Sequence, residues 1–339
     1  MSTDAREPAT LQTIADMDVG ALRAAVLEAA LQLDVFTLLG PGCMSLTKLV
    51  GATSADPRAL AILFDALCGL GLLTKSDDRY GLDDAAKRFL ARGGEAFRGE
   101  VVLRMFAARR QLADVVRNGR SIGDLTALTS GDFWAQFASP RLVVWPEEVE
   151  EELATWRELG VTPERRPGVR VLDIACGAGI RTFGLAREDP QARIVAIDSA
   201  PVLEVARKIA ERMGVTERVD FRPGEISAAD LGSEEFDLTL LSYLLYFFTP
   251  EAAVGLLERV WRALKPGGRV VVRAAIPDEE RCTATDALLD AVDLLLWIPD
   301  SRVYTYVEYR DLLTRAGFVD IARHGEQVIT AARPGQVPA

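Results

Sequence analysis

From Val169 onward, short apolar strands alternate with helical stretches, and this alternation restricts the fold more than any other feature of the chain. The pattern predicts strands at Val169–Ala175, Arg193–Asp198, Val219–Arg222, Phe236–Ser242 and Arg269–Ala275. Helices are expected from the loop after the first strand to about Arg187, and at Pro201–Met213 and Pro250–Leu264. Apolar strands separated by helices of about 10–15 residues imply parallel pairing in a doubly wound α/β sheet. A last helix, Thr305–Ala316, carries a Thr305/Glu308 capping box and a Gly317 stop. Phe318–Arg323 and Gln327–Arg333 then read as a terminal antiparallel pair.

The chain has 339 residues, enough for about two domains at ~150 residues each. Its first third is helical. Ala21–Leu39 places apolar residues at helical period, and Leu46–Val50 is a short second helix. Asp56 and Pro57 supply an N-cap and a tolerated first helical residue for a third helix ending near Leu70. Leu72–Thr74 and Tyr80–Leu82 flank a polar turn, so three helices precede a small hairpin, the winged-helix pattern. The expected division is a helical unit over 1–160 and a sheet-based unit over 161–339, joined through the turn-rich stretch Thr162–Gly168. The run Glu147–Glu152 reads as an exposed helix.

Charge limits the partners. Net charge is −11, and Pro41–Glu95 holds equal numbers of basic and acidic residues around an apolar third helix. A nucleic-acid surface needs a basic stripe, so no nucleic-acid partner is expected. The excess apolar surface fits packing against a partner subunit instead. The most apolar stretch, Leu238–Phe248, is far shorter than the ~20 residues of a membrane span. With no basic, apolar leader in Met1–Asp18, no membrane partner and a cytoplasmic location are expected. Cys43, Cys68, Cys176 and Cys282 share no metal-ligand spacing, and the single histidine, His324, excludes chemistry needing two.

The candidate ligand loop is Val171-Leu-Asp173-Ile-Ala175-Cys-Gly177-Ala-Gly179, between the first strand and its helix. Glycines here let the backbone approach a ligand at the carboxyl edge of the sheet. Asp198 ends the next strand, where a carboxylate accepts hydrogen bonds from both hydroxyls of a ribose. A dinucleotide fingerprint would place a third glycine where Thr182 stands. Asp173 before the first glycine disfavours a pyrophosphate and suits an ammonium. S-adenosylmethionine has an ammonium, a ribose and an adenine, and no phosphate.

Asp173-x-Ala175-x-Gly177-x-Gly179 resembles the D-x-G-x-G motif of S-adenosylmethionine-dependent methyltransferases, with Ala175 in place of the first glycine. Over residues 20–333 the chain resembles the two-domain, plant-type small-molecule O-methyltransferases of bacterial natural-product and pigment pathways. The winged-helix segment, Gly224-Glu225, Lys265-Pro-Gly-Gly268 and Ala316-Gly-Phe318 carry the likeness. The resemblance implies a Rossmann-like cofactor domain and a winged-helix unit that mediates a homodimer. It also implies that Glu225 bonds the adenine amine, that Ile226 packs on the ring, and that Gly224 and Ser242 contact the cofactor.

Where this family reads roughly L-H-D-W, with the histidine as base, the chain reads Leu245-Tyr246-Phe247-Phe248. Tyr246 stands at the base position, either as a proton-handling phenol or as an aromatic wall. Arg273, where the family often has an acid, pairs either with an anionic substrate or with a buried acid. His324 falls in the terminal hairpin, away from the ligand edge. Asp286, Asp290 and Asp293 share one face of helix Thr285–Trp297, which lines the substrate pocket in relatives, and Tyr304 and Tyr306 are pocket candidates on the same analogy. The implied activity is methyl transfer to an aromatic or polycyclic acceptor, at carbon or an already acidic heteroatom. Two alternatives stand beside it: a non-methylating reaction such as cyclisation or hydroxylation on the same cofactor, and a ligand-sensing regulator.

Overall fold

The computed structural model describes residues 3–122 and 131–335. Two compact units pack separately, Met1–Arg110 and Gln111–Ala339.

In the first unit the long helix Thr3–Gln32 is followed by Val35–Leu39. The expected continuous helix Ala21–Leu39 breaks because Asp34 takes a left-handed conformation (φ 54°). Helices Leu46–Thr53 and Pro57–Gly69 follow, and Asp56 caps the latter by accepting from the Ala59 N–H at 2.8 Å. β1 (Met44–Ser45), β2 (Thr74–Ser76) and β3 (Arg79–Gly81) form a small sheet in the order β1-β3-β2, which completes the winged helix. Its core is Phe36, Leu39, Leu49, Leu60, Phe64 and Leu67, with Tyr80 edge-on to Phe64 at 5.0 Å.

The second unit is built on a seven-stranded sheet: β4 (Arg170–Ile174), β5 (Arg193–Asp198), β6 (Val219–Pro223), β7 (Phe236–Ser242), β8 (Leu264–Arg273), β9 (Val319–His324) and β10 (Val328–Ala332). The order is β6-β5-β4-β7-β8-β10-β9, parallel from β6 to β8, with β10 antiparallel to both β8 and β9. Strand order reverses between β4 and β7, so the crevice for a ligand opens beyond their carboxyl ends. Alternate residues serve opposite faces: Val171, Ile194, Ala196, Leu238 and Leu240 join one core, and Leu172, Ile174, Val195, Ile197 and Leu241 the other. That two-sided burial is why these strands are apolar almost throughout.

The boundary lies about fifty residues before the expected 160/161. Helix Arg141–Glu158 buries Val149, Leu153 and Trp156 in a core of the sheet unit. Gly184 permits the approach, since a Cβ there would lie 3.2 Å from Leu153. The Glu147–Glu152 run is helical, but it is not uniformly exposed. Glu152 sits at 13% side-chain exposure against Arg181 and Arg273.

Candidate active site

The turn after β4 is built on three left-handed residues, Ala175 (φ 57°), Gly177 (φ 56°) and Gly179 (φ 73°). Between them the Cys176 N–H donates to the Ile197 carbonyl at 3.1 Å. The Gly177 N–H donates to Asp198 Oδ2 at 3.0 Å, and Ser199 N–H to Asp198 Oδ1 at 2.7 Å. The end of β5 thus fixes the loop through one carboxylate. Burial raises the Asp198 carboxyl above the usual aspartate range, opposed by those two N–H donors.

Ala175 is the non-glycine variant of a position whose backbone favours glycine. An L-residue in the left-handed region costs roughly 1–2 kcal/mol, partly offset by the larger entropy that glycine loses on folding. Ala175→Gly is expected to raise stability by about 0.5–1 kcal/mol, read as a higher urea midpoint. A lower midpoint would contradict the strain.

The loop borders a cavity of about 890 Å³, at the upper end of the roughly 300–1,000 Å³ of small-molecule sites. One half is lined by Ala175, Cys176, Gly177, Gly179, Asp198, Glu225, Ile226 and Ser242. A Cβ at Gly177 would point into open space. Among the described residues Ser242 Oγ has no hydrogen-bond partner, and it is buried at the cavity wall where a ligand could meet it. Gly224 does not line the cavity; its N–H donates to the Asp198 carbonyl at 3.0 Å and steers the chain toward Glu225. Two carboxylates and the Ser242 hydroxyl fit a cofactor with hydroxyls, a purine amine and positive charge.

Asp173 is placed differently from expectation. It is 1% exposed, does not line the cavity, and accepts from Thr182 Oγ1 at 2.6 Å. It anchors the first turn of helix Ile180–Glu188 from beneath the loop and makes no side-chain contact with the crevice. Thr182, standing where a third glycine would be, is its partner. Burial pushes the carboxyl up to about 7. Its contribution to stability is therefore present below the ordinary aspartate value of 3.8 and is lost as pH rises through about 7.

The other half of the cavity is aromatic, with Trp134, Phe137, Tyr243, Tyr246, Phe247 and Phe248 in its wall. Trp134 meets Phe247 edge-on at 5.5 Å, and Tyr246 meets Phe247 at 4.6 Å. Tyr246 lies in the short 3-10 turn Leu245–Phe247 that follows β7. Burial, helped by the charge of Asp290, raises its phenol well above the ordinary tyrosine range. A phenol held so can serve as a hydrogen-bond donor at neutral pH.

Arg273 does not line the cavity. It is ion-paired with Glu152 from helix Arg141–Glu158, while Arg181 approaches the same carboxylate at 3.5 Å. The anion it holds is thus the protein's own. His324 is exposed, ends β9 and contacts Thr330 Oγ1 at 2.9 Å. Tyr304 and Tyr306 are also outside the wall. Tyr304 is 2% exposed and donates to the Phe248 carbonyl at 2.8 Å, and Tyr306 packs on the same core. Of the three aspartates on helix Thr285–Trp297, Asp290 alone lines the cavity.

A profile of the O-methyltransferase dimerisation domain matches residues 19–92, and a methyltransferase-domain profile matches residues 171–268. The chain belongs to the two-domain O-methyltransferase family. It is 26% identical over 311 residues to the tetracenomycin polyketide synthesis 8-O-methyl transferase TcmO of Streptomyces glaucescens, covering 87% of each chain. It is 25% identical over 333 residues to an L-tyrosine C(3)-methyltransferase of Streptomyces lavendulae, covering 92% of this chain and 88% of that one. The fold is shared with human N-acetylserotonin methyltransferase solved in complex with SAM (TM-score 0.72, 24% identity, 96% of this chain and 98% of that one). As a methyltransferase of this family the chain uses S-adenosylmethionine, which the cavity fits. The winged-helix segment falls within the part matched by the O-methyltransferase dimerisation profile.

Sequence reasoning missed Trp134, Phe137, Arg141, Glu148 and Ile298, all of which line the cavity. The signal for the first two was Phe133, Trp134 and Phe137, an aromatic cluster at helical spacing in a stretch taken as part of the other unit.

Proposed function

We propose that the enzyme methylates a planar aromatic acceptor, at carbon or at an already acidic heteroatom, mainly by aligning it. When bound, the cofactor supplies an electrophilic methyl group on a sulfonium. Asp198, Glu225, Ile226 and Ser242 would hold it, with Gly177 and Gly179 shaping the loop around it. The aromatic half-cavity would hold the acceptor beside Trp134 and Phe247, whose rings stand at 74° to each other, so that it lies flat on one and meets the edge of the other. The observation behind this reading is the aromatic wall, with Tyr246 where the resemblance puts the family's base, and with the lone His324 at the end of β9 outside the cavity lining. Alignment of two reactants is worth about 7–11 kcal/mol, whereas a general base gives ~10²–10⁴-fold. An intrinsically nucleophilic acceptor can forgo the base.

Incorporation of labelled methyl from S-adenosylmethionine into aromatic acceptors tests the reading, and its absence across activated phenols, amines and electron-rich rings would overturn it in favour of a non-methylating reaction. Tyr246→Phe is expected to keep kcat within about threefold, since it removes a donor and no base. A loss of a hundredfold or more would assign the phenol to proton transfer.

We also infer a homodimer through the first unit. Leu11, Ile14, Met17 and Leu22 are 59–69% exposed on helix Thr3–Gln32, an apolar stripe left uncovered by the described residues. Among the described residues no helix is long and apolar enough to cross a membrane, and no group of side chains could hold a metal ion.

A further inference from the structure

Two guanidiniums share Glu152, and they are served unequally. Arg273 donates a hydrogen bond to Glu152 Oε2 and does not line the cavity. Arg181, in the first turn of helix Ile180–Glu188, does line it. Its Nε stands 3.5 Å from Glu152 Oε1 without forming a hydrogen bond, and that nitrogen is buried. Among the described residues no acceptor takes any N–H of this guanidinium, although its side chain is only 30% exposed. The acids of the cavity do not make up for it. Glu148 pairs with Arg141 at 3.3 Å, Asp198 accepts from the Gly177 and Ser199 N–H groups, and neither Glu225 nor Asp290 forms an ion pair with Arg181. A part-buried donor set left unmet in a native fold calls for an acceptor, and a ligand in the cavity is the one within reach.

We propose that Arg181 recognises a carboxylate on a molecule bound in the cavity. This rests on the methyl-transfer reading of the same cavity. A guanidinium is planar and always charged, and it presents paired N–H groups that match the two oxygens of a carboxylate. A neutral amide or hydroxyl of the same size offers one acceptor and no charge. The Arg181 guanidinium lies 5.5 Å over the ring of Tyr243, and that ring face adds a cation–π attraction holding the charged end at the wall. The position is a seam: the helix that carries Arg181 starts from Gly179 of the cofactor loop, and Tyr243 belongs to the aromatic half. Two sources of the carboxylate therefore reach it, the amino-acid end of the cofactor and an acid group on the acceptor. In the second case the acceptor is an aromatic acid.

The test uses the full-length protein and two matched ligand pairs, read by calorimetry at neutral pH. S-adenosylhomocysteine is titrated first; if it does not bind, the methyl-transfer reading fails and this proposal with it. Decarboxylated S-adenosylhomocysteine differs from it by the carboxylate alone, so this pair reads the cofactor as the source. With S-adenosylhomocysteine bound, naphthoate is compared with naphthamide, and this pair reads the acceptor. In at least one pair the acid is expected to bind about tenfold or more tightly than its neutral counterpart, the size of one charged hydrogen bond, and that pair names the source. Arg181→Gln should reduce the preference to about twofold or less by weakening the acid and not its counterpart. Arg181→Met, which keeps the apolar stem, is the second variant and is read in the same way if the first does not fold. No acid preference in either pair, or a preference that survives in a folded Arg181 variant, would overturn the proposal while leaving cofactor binding, and with it the methyl-transfer reading, in place.

Discussion

Asp198→Ala is expected to abolish detectable S-adenosylmethionine binding. The carboxylate ends β5 at the carboxyl edge of the sheet, lines the cavity, and is held in place by the Gly177 and Ser199 N–H groups. Hydrogen bonds to a charged group contribute about 1.5–3 kcal/mol each. A carboxylate taking two from a ribose is therefore worth on the order of 3 kcal/mol, or at least a hundredfold in affinity. The substitution also frees the two N–H groups that shape the loop, so the loss compounds. Calorimetry with S-adenosylhomocysteine reads the effect directly, and affinity within tenfold of wild type would show that the ribose sits elsewhere. Glu225→Gln, at an exposed position on the loop after β6, should cost much less. The pH dependence has a definite sign. Burial raises the Asp198 carboxyl, and the ionised form is the one that binds hydroxyls. Affinity in the wild type should begin to fall, as pH is lowered, at a higher pH than an ordinary aspartate would give.

Gly179→Ala is expected to be the most damaging single methyl group in the second unit. Two costs coincide there. The backbone is left-handed at φ 73°, worth roughly 1–2 kcal/mol for an L-residue. The new Cβ would lie 2.1 Å from the Phe183 ring, which is fully buried and edge-on to Phe221 at 6.0 Å. Forcing that ring aside is an overpacking of about 1–3 kcal/mol. Together, less the entropy that glycine loses on folding, they predict a loss of about 1.5–4 kcal/mol in urea unfolding. Gly177→Ala is the internal control. It shares the positive φ, but its Cβ would enter open space, so only the net backbone cost of about 0.5–1 kcal/mol applies to stability. If the two variants prove equally unstable, the Phe183 account fails. Cofactor affinity should drop in both, since the Gly177 methyl occupies the cavity itself.

The contrast between these two glycines shows what the sequence made legible. A glycine-rich turn after an apolar strand, followed by an acid ending the next strand, located the loop that borders the cavity, because strand period and turn chemistry are local properties. The capping box at Thr305/Glu308 and the cap at Asp56 were read for the same reason, and both hydrogen-bond as expected. Which glycine faces a ligand and which faces a phenylalanine is set by the helix packed behind the loop, and no local pattern carries that. The same limit explains Asp173, whose neighbour Thr182 lies nine residues along the chain and turns it inward. It explains Arg273 as well, since its partner Glu152 is 121 residues away in a run that read as solvated surface. The domain boundary was misplaced because the turn at Thr162–Gly168 is conspicuous in sequence. The burial of Val149, Leu153 and Trp156 against the sheet becomes evident only once the fold has formed. Asp290 was one of three equivalent aspartates until the cavity singled it out.

The order of the strands has one more consequence, for colloidal behaviour. A seven-stranded sheet that does not close leaves two outer strands, β6 and β9, each with a row of backbone groups that another chain could pair with. Neither offers an apolar ribbon. β6 ends in Pro223, which has no N–H to give, and carries the ion pair Asp220–Arg222 along its short length. β9 presents Asp320, Arg323 and His324 outward. Charged side chains on both outer strands, with Pro223 on one of them, disfavour growth of this sheet by edge pairing.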